Sequence, residues 1–389
     1  MTSSAYTPAL TSRLPAVGTT IFSRMSALAV QAQAVNLGQG FPDFACERSL
    51  LQAVNDAMQA DFNQYPMMSG APVLRQAIVA KLAALYGHSY DVEREITVTA
   101  GATQALTTAI LCCVHPGDEV IVIEPCYDSY VPAITLSGGV PVLVAMEAGP
   151  AGYSVPWDKV AAAVTSRTRL IIINTPHNPT GSVLRASDLQ ALADIVRGTD
   201  ILLLSDEVYE HMVYDGARHE SVSRYPELAA RAFVVSSFGK TYHVTGWKVG
   251  YVAAPAALMT EFRKVHQYNV FTVNTPMQHG LASYMADPQP YLQLPAFYQR
   301  KRDLFRAGLQ GSRFELLPAD GTYFQCVRYD KISQQTEAEF AEWLTTEIKV
   351  AAIPVSAFYQ QSKESGIVRF CFAKKDATLT LALERLQKI

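Results

Sequence analysis

The sequence predicts an α/β protein with a large domain built on a mostly parallel seven-stranded sheet, followed by a smaller α+β domain. Three observations lead there. Between residues 96 and 253, short apolar runs alternate with stretches of helical spacing. Several of those runs, Leu170-Ile171-Ile172-Ile173 among them, are continuously apolar, as strands covered on both faces are in a parallel sheet. Beyond about residue 281 the alternation gives way to one helical stretch and separated strand candidates, and 389 residues suit a two-part chain.

Strands are expected over 96–100, 119–123, 140–145, 170–174, 201–205, 233–236 and 249–253. Between residues 72 and 86, Val73, Leu74, Ala77, Ile78, Leu82 and Leu85 recur at helical spacing, with Pro72 placed to open the helix and Gly87 to close it. A second, apolar helix is expected over 104–114. The C-terminal part reads as a helix through 300–310 and strands at 321–327 and 367–372. Strand, helix and strand in series imply right-handed crossovers and a binding crevice at the strands' carboxyl ends.

Composition excludes several functions. Lys and Arg number 32 against 35 Asp and Glu, a net charge of −3, so neither nucleic acid nor an anionic membrane is expected as partner. Arg300-Lys301-Arg302 and Lys374-Lys375 are short, isolated runs that read as solvated faces. The cysteines Cys46, Cys112, Cys113, Cys126, Cys326 and Cys371 show no C-x-x-C spacing and read as free thiols in a reducing compartment. The opening Met1-Thr2-Ser3-Ser4-Ala5-Tyr6 has neither the basic nor the apolar region of a signal peptide, and no apolar run approaches membrane-spanning length. A soluble cytoplasmic protein is expected, with no internal repeat, and no motif asks for a metal.

The stretch richest in chemistry is Ser236-Ser237-Phe238-Gly239-Lys240-Thr241, which follows Phe233-Val234-Val235 and leads into Gly246-Trp247-Lys248-Val249-Gly250. A lysine on a tight turn after a buried strand, with a hydroxyl three residues before and a cation eight residues after, suits an aldehyde cofactor held as a Schiff base. That points to pyridoxal phosphate. Two rival motifs fail. A phosphate-binding P-loop needs glycine where Val234 stands, and the S-x-x-K reading of Ser237 to Lys240 lacks its S-D-N and K-T-G companions.

Three more loops fall at carboxyl ends of expected strands. Asn174-Thr175-Pro176-His177-Asn178-Pro179-Thr180-Gly181 offers the Asn178 amide, although Asn, Pro and Gly also make ordinary turns. Asp206-Glu207-Val208-Tyr209 brings a carboxylate and a phenol, with helix N-capping as the alternative role of Asp206. Gly101-Ala102-Thr103 joins a strand to a helix, where backbone N–H groups and the helix dipole make an anion site, or simply an ordinary turn.

In type and order these pieces resemble the fold-type I pyridoxal-phosphate enzymes, specifically the class I and II aminotransferases. The resemblance spans the chain from Asn36-Leu37-Gly38-Gln39-Gly40-Phe41-Pro42-Asp43 to Arg369-Phe370-Cys371-Phe372-Ala373-Lys374. Within that family it is most similar to the bacterial methionine and the kynurenine aminotransferases. It implies residues 1–45 as an N-terminal segment packing with the small domain and covering the site, 46–280 as the cofactor-binding domain and 281–389 as the small domain.

The resemblance also implies roles. Lys240 matches the Schiff-base lysine, which then serves as the base moving the Cα proton. Asp206 matches the partner of the pyridine nitrogen, keeping it protonated, and Asn178 and Tyr209 match the pair binding the ring's 3′ oxygen. Gly101, Ala102, Thr103, Ser237 and Lys248 match the phosphate grip, joined by Tyr65 from a neighbouring subunit, which implies a homodimer with shared sites. Tyr127 matches the aromatic stacked on the cofactor ring. Arg369 matches the fork gripping the substrate α-carboxylate, with Gly38 and Asn178 contributing to the same subsite. Standing alone in Val368-Arg369-Phe370, Arg369 otherwise reads as an edge-strand surface charge.

Many aminotransferases carry arginine where Lys248 stands, and the methionine and kynurenine branch carries lysine there. No second arginine is recognisable for a side-chain carboxylate, and the covering segment Ile21-Phe22-Ser23-Arg24-Met25 is mostly apolar, so the substrate pocket is expected to be apolar or aromatic. Transfer of the amino group of methionine or an aromatic amino acid to a 2-oxo acid follows. A kynurenine- or glutamine-type aminotransferase, or a cysteine-conjugate carbon–sulfur β-lyase, using the same residues stays open. A ligand-sensing regulator is disfavoured, because the residues before Asn36 lack basic helix-turn-helix character.

Overall fold

The computed structural model describes residues 10–149, 152–361 and 363–389; the reading of Met1 to Tyr6 lies outside the described residues. Seven strands form the large sheet: β1 (Ile96–Thr99), β2 (Glu119–Glu124), β3 (Val140–Ala145), β4 (Thr168–Asn174), β5 (Leu202–Asp206), β6 (Ala232–Ser237) and β7 (Gly250–Ala253). Their order is β1-β7-β6-β5-β4-β2-β3. All run parallel except β7, which is antiparallel to both β1 and β6. Helices cover both faces, so β2, β6 and β7 are buried along their whole lengths. The predicted α/β class and mostly parallel seven-stranded sheet are therefore observed, with strand ends shifted by one or two residues.

Local chemistry explains the boundaries. Helix Pro72–Tyr86 starts on proline, where a missing N–H costs nothing, and ends at Gly87 in the left-handed region, φ 72°. Leu74, Ile78 and Leu82 bury one face while Val73 stays exposed. The helix expected from residue 104 begins earlier, as Gly101–Cys113. Gly101 at φ 76° lets the chain reverse sharply out of β1, a conformation a side chain would disfavour.

A second sheet contains β8 (Glu315–Leu316), β9 (Phe324–Arg328), β10 (Ile353–Pro354) and β11 (Ile367–Cys371), antiparallel in the order β8-β9-β11-β10. Helices Leu294–Gly308, Glu337–Trp343 and Asp376–Leu386 supply residues to its core, as do Met25 of the Ile21–Gln31 helix and Leu37. Strand Val35–Asn36 adds a parallel pair with Val350–Ala351.

The alternative reading of Arg369 as an edge-strand surface charge does not hold, because Arg369 is 1% exposed on β11, an interior strand between β9 and β10. The two basic runs expected to be solvated are corrected at three positions. Lys301 and Arg302 are buried because each has a partner: Lys301 Nζ donates to Asp376 Oδ1 and the Lys374 carbonyl, both at 2.8 Å, and Arg302 forks onto Asp215 at 2.6 and 2.8 Å. Lys374 is 3% exposed, although its neighbour Lys375 is solvated. All six cysteines are free. Among the described residues no helix is long and apolar enough to cross a membrane, and no cluster of His, Cys, Asp or Glu is arranged to hold a metal ion.

Candidate active site

The carboxyl ends of β4, β5 and β6 and the start of helix Gly101–Cys113 surround a cavity of about 190 Å³. Its walls include Thr103, Tyr127, Asn178, Asp206, Tyr209 and Lys240. Every strand in this set points its carboxyl end the same way, which is why residues scattered over 140 positions meet.

Lys240 stands on a single helical turn, Phe238–Thr241, directly after β6. Its Nζ donates to Tyr323 Oη at 3.0 Å and to the Gly40 carbonyl at 3.3 Å, and lies 5.6 Å from the centre of the Tyr209 ring. Burial pushes its pKa down to about 8, with Arg369 and Lys248 acting in the same sense and Asp206 opposing. A neutral amine is therefore accessible near physiological pH.

Asp206 ends β5 and is 3% exposed. Turns, not a helix, follow it, so the N-cap alternative does not hold. Tyr130 Oη donates to Oδ2 at 2.7 Å, and the Val208 N–H donates to Oδ1 at 3.3 Å. Burial raises its pKa to about 6 against those two donors and the Lys240 charge. The turn beyond is anchored from below: Glu210, next to Tyr209, pairs with buried Lys81 at 2.6 Å.

The opposite end of the cavity is built for an anion. Helix Gly101–Cys113 has no side-chain cap, so its first N–H groups lack intrahelical partners and face the cavity with the dipole's positive end. Lys248 lies over Gly101, its Cε 3.4 Å and Nζ 3.5 Å from where a Cβ on that glycine would stand. Ser237 and Thr103 add hydroxyls, and Thr103 Oγ1 shares a hydrogen bond of 3.1 Å with Tyr127 Oη.

Arg369 reaches the cavity's rim from the other sheet. Its Nη1 donates to Asn178 Oδ1 at 2.6 Å and its Nη2 to the Gly38 carbonyl at 3.1 Å, while Nε, though buried, has no partner. The guanidinium stacks on Phe324 at 3.8 Å, with Phe358 at 4.8 Å and Phe22 at 5.7 Å. Burial lowers its pKa. A buried cation held in a planar, stacked orientation is suited to pair with a carboxylate.

Tyr65, expected to serve a neighbouring subunit, is 82% exposed, packed edge-on against Phe271, and does not line the cavity of its own chain. The Gly38 N–H is already engaged by Asn36 Oδ1 at 3.0 Å, so Gly38 meets Arg369 through its carbonyl. Other contributors were missed: Tyr130 beside Asp206, Tyr323 and Gly40 beside Lys240, and Phe324 and Phe358 around Arg369. Tyr130 sits in an apolar helix and Tyr323 follows a glycine turn, so neither carries a motif that marks it.

A family model described as aminotransferase class I and II matches residues 32–386. The chain belongs to the class I and II aminotransferases. This aminotransferase is 50% identical over 379 residues to the methionine aminotransferase of Escherichia coli, covering 97% of this chain and 98% of that one. It is 35% identical to human kynurenine–oxoglutarate transaminase 1, over 93% of each chain. A crystal structure of an Escherichia coli protein identified as having a methionine aminotransferase function superposes with a TM-score of 0.96 at 49% identity, over 98% of this chain and all of that one. The fold is thus fold-type I, and the aminotransferase is a pyridoxal-phosphate enzyme acting on amino acids and 2-oxo acids. The residues present fit that cofactor: an amine of depressed pKa, a buried carboxylate, and uncapped N–H groups beside a cation.

Proposed function

We propose that this enzyme moves the amino group of methionine or an aromatic amino acid to a 2-oxo acid in a two-half-reaction cycle, with Lys240 as cofactor anchor and proton-transfer base. The observation that carries the reading is the shared cavity of Lys240, Asp206 and the uncapped helix start. Bound pyridoxal phosphate supplies the electron sink that lets the Cα proton leave. The protein's own groups do the rest.

Asp206, buried and fed by Tyr130 and Val208, holds a negative charge against a protonated ring nitrogen. Tyr209 and the Asn178 amide are the donors for the ring oxygen, and Tyr127 supplies a stacking face. Gly101, Ala102, Thr103, Ser237 and Lys248 take the phosphate. Arg369 takes the substrate carboxylate through the Nη hydrogens not given to Asn178 and Gly38, and Gly38 orients that fork. The Lys240 amine would hold and move, at Nζ, the proton that leaves the substrate Cα.

The aromatic wall of Phe22, Phe324 and Phe358 beside Arg369 supports an apolar or aromatic substrate side chain. So do the methionine and kynurenine activities for which the two relatives above are named. Exposed Tyr65 supports a homodimer in which it reaches the partner's phosphate, and the division at residues 45 and 280, like a cytoplasmic location, belongs to the same proposal. A transamination screen of the common amino acids against several 2-oxo acids tests it. Methionine and the aromatic amino acids should lead; a strong preference for aspartate contradicts the substrate assignment.

A further inference from the structure

The segment Leu37 to Phe41 crosses the site with its carbonyls taken one after another. Leu37 accepts from the Cys371 N–H at 2.7 Å, and Gly38 accepts from Arg369. Gln39 and Phe41 both accept from Lys374 Nζ, at 3.3 and 2.7 Å. Between them, the Gly40 carbonyl accepts from Tyr323 Oη at 2.5 Å and from Lys240 Nζ at 3.3 Å. A Cβ at position 40 would stand 2.9 Å from the Phe324 ring, so only glycine allows this approach.

Lys374 is 3% exposed and, among the described residues, bonds only to backbone carbonyls, with no carboxylate among its partners. A buried ammonium held this way is costly to desolvate, and two of its three donors are spent on the carbonyls that flank Gly40. The Lys374 backbone is itself fixed, because its carbonyl accepts from Lys301 Nζ at 2.8 Å. On the other side, Tyr323 gives its hydrogen to Gly40 and so turns an oxygen lone pair toward Lys240.

We propose that Lys374 is a positioning residue: by gripping Gln39 and Phe41 it presents the Gly40 carbonyl, and through it Tyr323, to the Lys240 amine. This rests on the reading of Lys240 as the reacting lysine. The clamp gives the amine two acceptors in a fixed direction, so the nitrogen is aimed while it waits without the cofactor. Those acceptors favour the ammonium form and limit how far burial depresses it. The groups facing Lys240 from the surrounding elements are Asp206, Tyr209, Lys248, Tyr323, Arg369 and Cys371.

The test uses full-length protein with the cofactor removed. The pH dependence of Lys240 acylation by a small amine-reactive reagent is followed by peptide mass spectrometry in the parent chain, Lys374→Met, Tyr323→Phe and the double variant. Loss of an acceptor should lower the Lys240 midpoint by about half a pH unit, roughly a threefold faster labelling at pH 7, in each single variant. The double variant should fall short of the sum, because both act through Gly40. If Lys374→Met does not fold, Lys374→Gln, which keeps donors for one carbonyl, takes its place. An unchanged or raised midpoint with only a lowered melting temperature, or strictly additive effects, overturns the proposal. Borohydride fixation of the cofactor at another lysine would instead overturn the reading of Lys240 and leave the clamp measurement standing.

Discussion

Tyr130 gives its hydroxyl hydrogen to Asp206 Oδ2 at 2.7 Å, from a helix that contributes nothing else to the cavity floor. Burial lifts the Asp206 pKa to about 6, and the Tyr130 bond is the largest influence holding it down. Removing that bond by Tyr130→Phe should push the carboxyl higher and weaken its hold on a ring cation. A hydrogen bond to a charged group is worth roughly 1.5–3 kcal/mol, so cofactor affinity is expected to fall about tenfold or more. Equilibrium dialysis of the cofactor against parent and variant at pH 7.5 measures it, and equal dissociation constants contradict the assignment.

The same carboxyl sets a pH dependence. Its folded value, about 6, lies above the ordinary 3.8, so the folded cofactor-free protein binds the extra proton between those values. That contribution to stability is fully present below pH 3.8 and is lost as pH rises through about 6. Lys240 works in the other direction: its folded value, about 8, lies below the ordinary 10.5, so its favourable contribution exists above pH 10.5 and is lost as pH falls through 8. At pH 7 the cofactor-free protein therefore carries a destabilising ammonium. Lys240→Met should stabilise it by roughly 1–2 kcal/mol, less than the full shift implies because the cavity admits water. Urea unfolding of both proteins without cofactor reads the difference, and a less stable Lys240→Met protein contradicts this account.

Arg369 separates substrate recognition from cofactor binding. Its planar fork is stacked on Phe324 and bonded to Asn178 and Gly38. Arg369→Lys keeps the charge and loses the fork. The expected result is a rise in the KM for amino acid and oxo acid alike, with kcat/KM lower by roughly 10- to 100-fold, while the visible spectrum of the bound cofactor is unchanged. A kcat/KM within twofold of the parent enzyme would remove Arg369 from the carboxylate subsite.

Tyr65 offers a test of sharing between subunits. It stands 82% exposed and away from its own cavity. If it serves a partner's phosphate, a mixed dimer of Lys240→Ala and Tyr65→Ala chains carries one site with both defects and one intact site. Activity should therefore reappear when the two inactive or weakened proteins are unfolded together and refolded. No gain over the separate proteins contradicts a shared site.

The sheet is legible because its strands carry unbroken apolar runs, and the motifs at their carboxyl ends mark Asp206, Asn178 and Lys240 as neighbours. Strand ends are blurred where polar residues continue a strand, as Ser237 and Asp206 do in β6 and β5. Charge was the least legible property. Arg369, Lys301 and Lys374 sit in short basic or isolated contexts that resemble solvated faces, and they are buried only because distant segments supply carbonyls, rings or carboxylates. Tyr323 and Gly40 are 283 residues apart and share one hydrogen bond, a closeness that the fold creates and no local pattern announces.

The central claim is that the Lys240 amine holds the cofactor. Borohydride reduction of the loaded enzyme, followed by proteolysis and mass mapping of the peptides, tests it most directly. The account predicts that the peptide containing Lys240 alone gains the mass of a phosphopyridoxyl group and that the visible band disappears. A phosphopyridoxyl group found on Lys248 or on another lysine, with Lys240 unmodified, would contradict it.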